Sequence, residues 1–107
     1  MKSKEHFGVN LPFLSLIPDD FNHNKKYTIV ILMHGYGASM QDLSGIAPII
    51  NDKDFIYVFP NAPIEMNIGL GQKGYAWFPI EDSNISISEN LLDKTVNEIL
   101  EMFKKNI

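Results

Sequence analysis

The chain contains no cysteine and no arginine, and each absence removes a class of site. Without cysteine, these residues hold no disulfide framework, no thiolate metal ligand and no cysteine nucleophile. Without arginine, there is no planar guanidinium group for bidentate binding of a phosphate or a guanine base. The nine basic residues are all lysines, and the formal net charge is -4. We therefore expect no nucleic-acid partner.

Long apolar runs are missing as well. The longest one, around residues 29–33, is far too short to span a bilayer. Residues 1–6 are charged and lack the apolar core of a signal peptide. We therefore expect a cytoplasmic protein with no membrane span. The 107 residues suffice for one domain, residues 1–107, and not for two.

Two largely apolar and β-branched runs, residues 27–33 and 55–59, predict strands. Neither alternates with polar residues, which is typical of strands buried on both faces of a parallel sheet. Residues 11–17 predict an edge strand, because Pro12 cannot donate a hydrogen bond to a neighbouring strand. Residues 1–10 predict a polar, frayed start.

Helical spacing follows these strands. Ser39 predicts the N-cap of a helix that Pro48 must kink or split, with apolar positions at Leu43, Ile46, Ala47 and Ile50. A second helix is predicted from Ser86 to Ile107, since Ser86 and Glu89 have capping-box spacing. Between them, residues 64–85 predict a long irregular, glycine-containing loop of the kind that is usually functional. This order indicates an α/β fold with a mostly parallel sheet flanked by helices.

The turn His34-Gly35-Tyr36-Gly37 directly follows the first buried run. Ligand sites in open α/β sheets lie at the carboxyl ends of strands, so chemistry is expected at this position. Glycines in such a turn leave backbone N–H groups free to stabilise an oxyanion. The alternative is a glycine-rich turn that only reverses the chain. The residues by themselves leave both interpretations open.

Three segments together carry a resemblance to a known family. They are Ile-Leu-Met-His-Gly-Tyr-Gly-Ala at 31–38 with Gln-Asp-Leu at 41–43, Val-Phe-Pro-Asn-Ala-Pro at 58–63, and Gly-Tyr-Ala-Trp-Phe at 74–78. This combination resembles the phospholipase/carboxylesterase branch of the α/β hydrolases, which includes the acyl-protein thioesterases. The resemblance runs from about Tyr27 to the last helix and corresponds to roughly the first half of a family member. It implies a partial α/β-hydrolase fold that stops before the nucleophile elbow.

The resemblance also implies roles for particular residues. The backbone N–H of Tyr36 would be one oxyanion-hole donor, and His34, Gly35 and Gly37 would shape the turn. The loop at 65–77 would cover an acyl pocket, lined by Met66, Ile68, Leu70 and Trp77. Ordinary core packing is the simpler interpretation of Phe78. In this family the histidine of the turn is not the general base, so we expect a structural role for His34.

The chain departs from the family in the catalytic residues. Members use a serine in a Gly-x-Ser-x-Gly elbow, then an aspartate, then a histidine. No Gly-x-Ser-x-Gly occurs in the 107 residues, and Ser39 lacks the closing glycine because Gln41 stands there. The elbow is expected just beyond Ile107. The triad is thus absent, and the chain is predicted to be inactive alone. His6, His23 and His34 are too scattered for a metal site, and no cofactor is implied.

Three hypotheses remain open. The chain is the N-terminal half of a serine hydrolase acting on carboxylic esters or thioesters, half of a split enzyme, or a non-catalytic module. In the last case, residues 64–78 hold an apolar ligand or partner. Without an elbow strand beside residues 27–33, that apolar strand edge is open, and we expect self-association or poor solubility.

Overall fold

The computed structural model describes residues 1–7, 10–77 and 86–105. Its strands are β1 (Lys2–His6), β2 (Phe13–Ile17), β3 (Thr28–Ile31), β4 (Phe55–Pro60), β5 (Ile64–Gly69) and β6 (Gln72–Ala76). A 3₁₀ turn (Ser44–Ile46) leads into the short helix α1 (Ala47–Ile50), and α2 (Ser86–Lys105) is the long helix.

Four strands form one sheet in the order β1-β2-β4-β3. β1 pairs antiparallel with β2, β2 pairs antiparallel with β4, and β3 pairs parallel with β4. The fold is therefore α/β, but the sheet is mixed. The expected parallel character holds only for β3 and β4, because the β1–β2 hairpin adds two antiparallel pairings.

The N-terminal segment differs from the prediction. Residues 2–6 are not a frayed start, since they form β1 and pair along their length with β2. β2 consequently lies inside the sheet, and the edge-strand prediction for residues 11–17 is wrong. Pro12 precedes the strand, where its missing N–H costs no ladder bond, and its carbonyl accepts a 2.8 Å hydrogen bond from the N–H of Asn61.

The sheet has an apolar cluster on each face. One cluster contains Leu14, Leu16, Tyr57, Phe59 and Ala47. The opposite cluster contains Phe13, Ile56, Val58 and Ile99, which α2 contributes. Successive strand residues point to opposite faces, so β4 is buried on both sides, as its sequence predicts. β3 is only half-buried, because it stands at the end of this sheet.

The segment that follows Ser39 does not form the predicted helix. Residues 40–43 are turns, and α1 comprises only residues 47–50. Pro48 lies in the first turn of α1, where a missing N–H is tolerated, instead of inside a longer helix. Ser39 caps no helix, since its hydroxyl donates to Oε1 of Gln41 at 3.0 Å. The short helix leaves Ile49 84% exposed.

Residues 64–76 form a hairpin and not the predicted irregular loop. β5 and β6 pair antiparallel, with Ile64 opposite Ala76 and a register shift between Asn67 and Gly69. The connecting turn has positive φ angles at Gly69 (109°), Leu70 (52°) and Gly71 (75°). Two glycines make this reversal accessible. The glycines that indicated a loop therefore serve a tight turn.

The second predicted helix is confirmed as α2. Its inner face buries Thr95 and Ile99 at 0% and 1% exposure. The Thr95 hydroxyl donates to the carbonyl of Leu91 at 2.8 Å and accepts from the N–H of Leu11 at 3.0 Å. This pair of bonds ties the helix to the segment before β2. The Ser86 side chain, and with it the predicted capping box, lies outside the described residues, as does Phe78. Within the described part of the chain, no helix is long and apolar enough to cross a membrane.

Candidate active site

His34 follows β3 and is held at both ring nitrogens. The N–H of Ala62 donates to Nε2 at 3.0 Å, so Nε2 carries no proton. Nδ1 therefore bears the hydrogen and donates to the carbonyl oxygen of Gly35 at 2.8 Å. The residue is 4% exposed. Both ring nitrogens are thus bound to backbone groups, and the structural role of His34 in the turn stays a prediction.

Trp77, the residue after β6, is bonded to the same turn. Its indole N–H donates to the carbonyl of His34 at 3.0 Å. The two rings are stacked, with centroids 5.3 Å apart and planes at 30°. The three segments that carry the family resemblance thus meet at His34: the turn itself, the turn after β4, and the end of β6.

Strand β6 clamps the turn through backbone hydrogen bonds. The N–H of Gly37 donates to the carbonyl of Tyr75 at 2.9 Å, and the N–H of Tyr75 donates to the carbonyl of Ala38 at 2.9 Å. Gly37 has a φ of 81°, which favours glycine. A Cβ on Gly74 would lie 2.0 Å from the Gly37 carbonyl oxygen, so only glycine permits this approach.

The turn leaves the backbone N–H groups of His34, Gly35 and Tyr36 without an acceptor among the described residues. The carbonyl of Gly35 accepts from the N–H of Ala38 at 3.1 Å and from the His34 ring. Over residues 1–7, 10–77 and 86–105, the N–H of Tyr36 donates no hydrogen bond. The Tyr36 side chain is half-exposed, at 51%. The turn therefore presents a backbone donor that an anionic oxygen can use.

The residues predicted to line an acyl pocket all lie on or beside the hairpin, at unequal distances from the turn. The side chain of Ile68 lies beside Gly37 and Gly74. Its Cγ2 would be 3.8 Å from a Cβ added at Gly37, and it is also close to a Cβ added at Gly74. Met66 and Trp77 are half-buried. Leu70 is fully exposed at the hairpin tip. The structure brings Ile68 and Trp77 to the turn and leaves Leu70 away from it. The role of all four in substrate binding stays a prediction.

Asn61 is a residue that sequence reasoning missed. It is 7% exposed, and its Oδ1 accepts from the N–H of Met40 at 2.9 Å. The N–H of Asn61 donates to the carbonyl of Pro12. Asn61 therefore connects the end of β4 to the residue before β2 and to the segment after the turn. The signal was its position in the Pro-Asn-Ala-Pro segment, directly after a buried strand, where a polar side chain requires partners.

The site lacks a nucleophile of the expected kind. Ser39, the nearest serine in the chain, bonds to Gln41 and lies 3.4 Å from a carboxylate oxygen of Asp42, with no histidine on its hydroxyl. No group of three or more potential metal-ligating His, Cys, Asp or Glu side chains occurs in the described parts of the chain. The arrangement is a turn anchored by the buried His34, with backbone N–H groups that have no acceptor among the described residues.

Comparison with known proteins agrees with this geometry. A family model described as Phospholipase/Carboxylesterase matches residues 21–107, which is well over half of the chain. The match includes the turn, the segment after β4 and the hairpin. No curated protein and no solved structure matches the chain.

Proposed function

Because the chain belongs to the phospholipase/carboxylesterase family, we propose that its turn at 34–37 forms half of an oxyanion hole. The enzyme it serves hydrolyses carboxylic esters or thioesters through an acyl-serine intermediate. The observation that carries this proposal is the unused N–H of Tyr36 in a turn whose residues on both sides are held by hydrogen bonds. Nucleophile, acid and base come from residues other than these 107, which contain no Gly-x-Ser-x-Gly.

The rigidity of the turn supports this role. A tetrahedral intermediate places a full negative charge on the former carbonyl oxygen, and a donor stabilises it best when nothing has to reorganise. Bonds from Ala62, Trp77 and Tyr75 hold His34 and Gly37 on either side of Tyr36. A second donor is needed to complete the hole, and in this class it is the backbone N–H after the nucleophile.

The acyl group of the substrate would lie along the hairpin. Met66 pairs with Gly74, and Cγ2 of Ile68 would lie 2.9 Å from a Cβ on Gly74, so both residues lie near that glycine. Ile68 approaches the turn, and the Trp77 ring stacks on His34. These apolar side chains suit an acyl chain better than a sugar or a charged group. Ester and thioester substrates share this requirement.

Complementation of the missing residues tests the proposal. The chain is mixed or co-expressed with a polypeptide from the same family that carries the elbow, the aspartate and the catalytic histidine. Hydrolysis of p-nitrophenyl butyrate is then measured. We expect the mixture to hydrolyse this ester faster than the sum of its two parts assayed alone. Tyr36→Pro removes the backbone donor and should lower kcat by about 10²–10³-fold. Tyr36→Phe keeps the N–H and serves as the matched control, with activity close to that of the unaltered chain.

The outcomes separate the remaining hypotheses. Equal activity of Tyr36→Pro and Tyr36→Phe in a complex that assembles would contradict the oxyanion role. Restored hydrolysis supports a hydrolase half or a split enzyme. An assembled complex without hydrolysis, together with binding of an apolar acyl compound that Ile68→Asp abolishes, favours the binding-module alternative.

A further inference from the structure

A second polar pair lies at the opposite side of the sheet, in residues that the family match does not include. His6 on β1 and Ser15 on β2 are diagonal neighbours across the hairpin, and Nε2 of His6 lies 2.9 Å from Oγ of Ser15. The His6 ring stacks on Phe13, with centroids 4.5 Å apart and planes at 14°. The stacking fixes the ring so that Nε2 faces the hydroxyl.

The direction of this hydrogen bond follows from the alternatives open to the hydroxyl. Ser15 has one hydroxyl hydrogen, and its other acceptor, the carbonyl of Lys4, is 3.5 Å away. The shorter contact makes Nε2 the favoured acceptor. Burial, and then the charge of Lys4, lowers the pKa of His6 below the usual 6.5. The ring is therefore neutral at pH 7 and can accept a proton.

The pair faces open space. A cavity of about 370 Å³ is lined by both His6 and Ser15, with an apolar wall made by Ile17, Met102 and Phe103. A neighbouring cavity of about 450 Å³ shares His6 and Met102 and is also lined by Glu98. Ser15 itself is only 5% exposed, so its hydroxyl is approached from the cavity and not from the open surface.

We propose that Ser15 is a nucleophile with His6 as its general base, and that the pair accepts acyl groups from small carboxylic esters bound between β1 and α2. Oγ of Ser15 forms a bond to the ester carbonyl carbon while its proton passes to Nε2 of His6. The bond from that carbon to the alcohol oxygen then breaks. The alcohol leaves with the proton from Nε2, or as an anion when it is as acidic as p-nitrophenol. Water later hydrolyses the acyl-serine by the same route.

Of the two charges that shift the pKa of His6, Lys4 opposes protonation of the ring and Glu98 favours it, with Lys4 having the larger effect. Glu98 on α2 lines the cavity beside His6, and its negative charge raises the pKa of that ring, opposing the larger effect of burial. A carboxylate in this position stabilises the imidazolium that forms when Ser15 loses its proton. The size and the apolar wall of the cavity limit the substrate to a short acyl group. This inference is independent of the proposed oxyanion turn.

The test uses the chain alone with p-nitrophenyl acetate at pH 7.5. Release of p-nitrophenolate is followed by absorbance, and the acetylated residue is located by peptide mass spectrometry. We expect one acetyl group on Ser15 and none in Ser15→Ala. His6→Gln keeps a hydrogen-bonding side chain but removes the base, and should slow the acetylation by about 10²-fold. Ser3→Ala is the matched control, since Ser3 lines the same cavity without a histidine on its hydroxyl.

Acetylation of Ser3 or of lysines with none on Ser15 would overturn the proposal. So would an unchanged rate in His6→Gln with circular dichroism like that of the unaltered chain. If Ser15→Ala does not fold, the acetylated residue of the unaltered chain and the His6→Gln rate still decide. Complementation measured in the His6→Gln chain excludes a contribution of this pair, so the two proposals can fail separately.

Discussion

The two outer strands of the four-stranded sheet lead to histidines in opposite situations. β3 is apolar and runs into His34, whose two ring nitrogens are both bound to backbone groups. β1 is exposed, carries Lys2 and Lys4, and ends at His6, which has one ring nitrogen on a serine hydroxyl beside a cavity. Both ring nitrogens of the first histidine have backbone partners, whereas the second histidine is the one that we propose as a general base. Hydrogen-bond partners, and not the residue type, distinguish the two.

Gly74→Ala tests the clamp on the His34 turn and should have the largest effect. The added Cβ would overlap the Gly37 carbonyl oxygen at 2.0 Å, and both groups belong to backbone that is hydrogen-bonded at Tyr75. The overlap is relieved only if the β5–β6 hairpin moves away from the turn at residues 34–37. We expect a loss of about 3 kcal/mol in the free energy of unfolding, measured in urea.

Gly45→Ala is the control for that substitution, because nothing lies within 4 Å of a Cβ there. Its effect should stay within about 0.5 kcal/mol. Equal free energies of unfolding for Gly74→Ala and Gly45→Ala would show that β6 is not packed closely against the turn at residues 34–37.

Replacing each histidine by leucine compares the two regions directly. His34→Leu leaves the N–H of Ala62 without its acceptor in a buried position, and should cost about 2 kcal/mol of stability. His6→Leu removes one bond to a hydroxyl that has the Lys4 carbonyl nearby, and should cost about 1 kcal/mol or less. Urea unfolding of both variants gives the order. The reverse order would mean that the β1–β2 hairpin, and not the turn, depends on its histidine.

The edges of the sheet should differ in association. Charged strand edges resist pairing with other chains, and β1 is protected in this way by its lysines. β3 has no charged residue, and its outer edge pairs with no other strand among those described. We therefore expect self-association at micromolar concentrations, measured by analytical ultracentrifugation. Thr28→Lys places a charge at an exposed position of β3 and should weaken association by about tenfold.

Ser3→Lys on β1 is the control for that charge and should leave association unchanged, since β1 already carries two lysines. A chain that sediments as a monomer and unfolds cooperatively would contradict the open-edge prediction. Equal effects of the two lysine variants would place the contact elsewhere.

Local patterns predicted some elements well and others poorly, for physical reasons. β4 has a continuous apolar run because apolar clusters cover both of its faces. α2 has an apolar stripe at helical spacing because one of its faces packs on the sheet. β1 has no such signal, since Lys2 to Glu5 are exposed and its formation depends on pairing with β2. The hairpin at 64–76 was missed because the same glycines serve loops and tight turns. The predicted helix after Ser39 is longer than the observed one, because the apolar spacing indicated a helix on both sides of Pro48 and only the residues around Pro48 form one.

The candidate site was predictable only in part. His34, Gly35, Tyr36 and Gly37 stand in a continuous motif after a strand, so the turn could be located from sequence. Asn61 and Gly74 act through partners far along the chain, at Met40 and Gly37, and no local pattern shows such contacts. The His6–Ser15 pair was hidden for the same reason, because it depends on the register of β1 against β2. Long-range register is what the sequence leaves undetermined.

The smallest expected effect is the pH dependence of stability that His6 contributes. Burial lowers the pKa of His6 in the folded chain below the 6.5 of an unfolded chain, with Lys4 on its own strand adding to the shift and Glu98 on α2 opposing it. Between the lowered pKa and 6.5 the unfolded chain binds more protons, so stability falls as the pH falls through this range. Urea unfolding from pH 7.5 to pH 5 should show a shallower decline in His6→Gln than in the unaltered chain. His23→Gln provides the comparison, because His23 lies in an exposed turn, where its ring meets only the edge of Phe21. An identical decline in the unaltered chain and in His6→Gln would mean that His6 is as free to protonate in the folded chain as in the unfolded one.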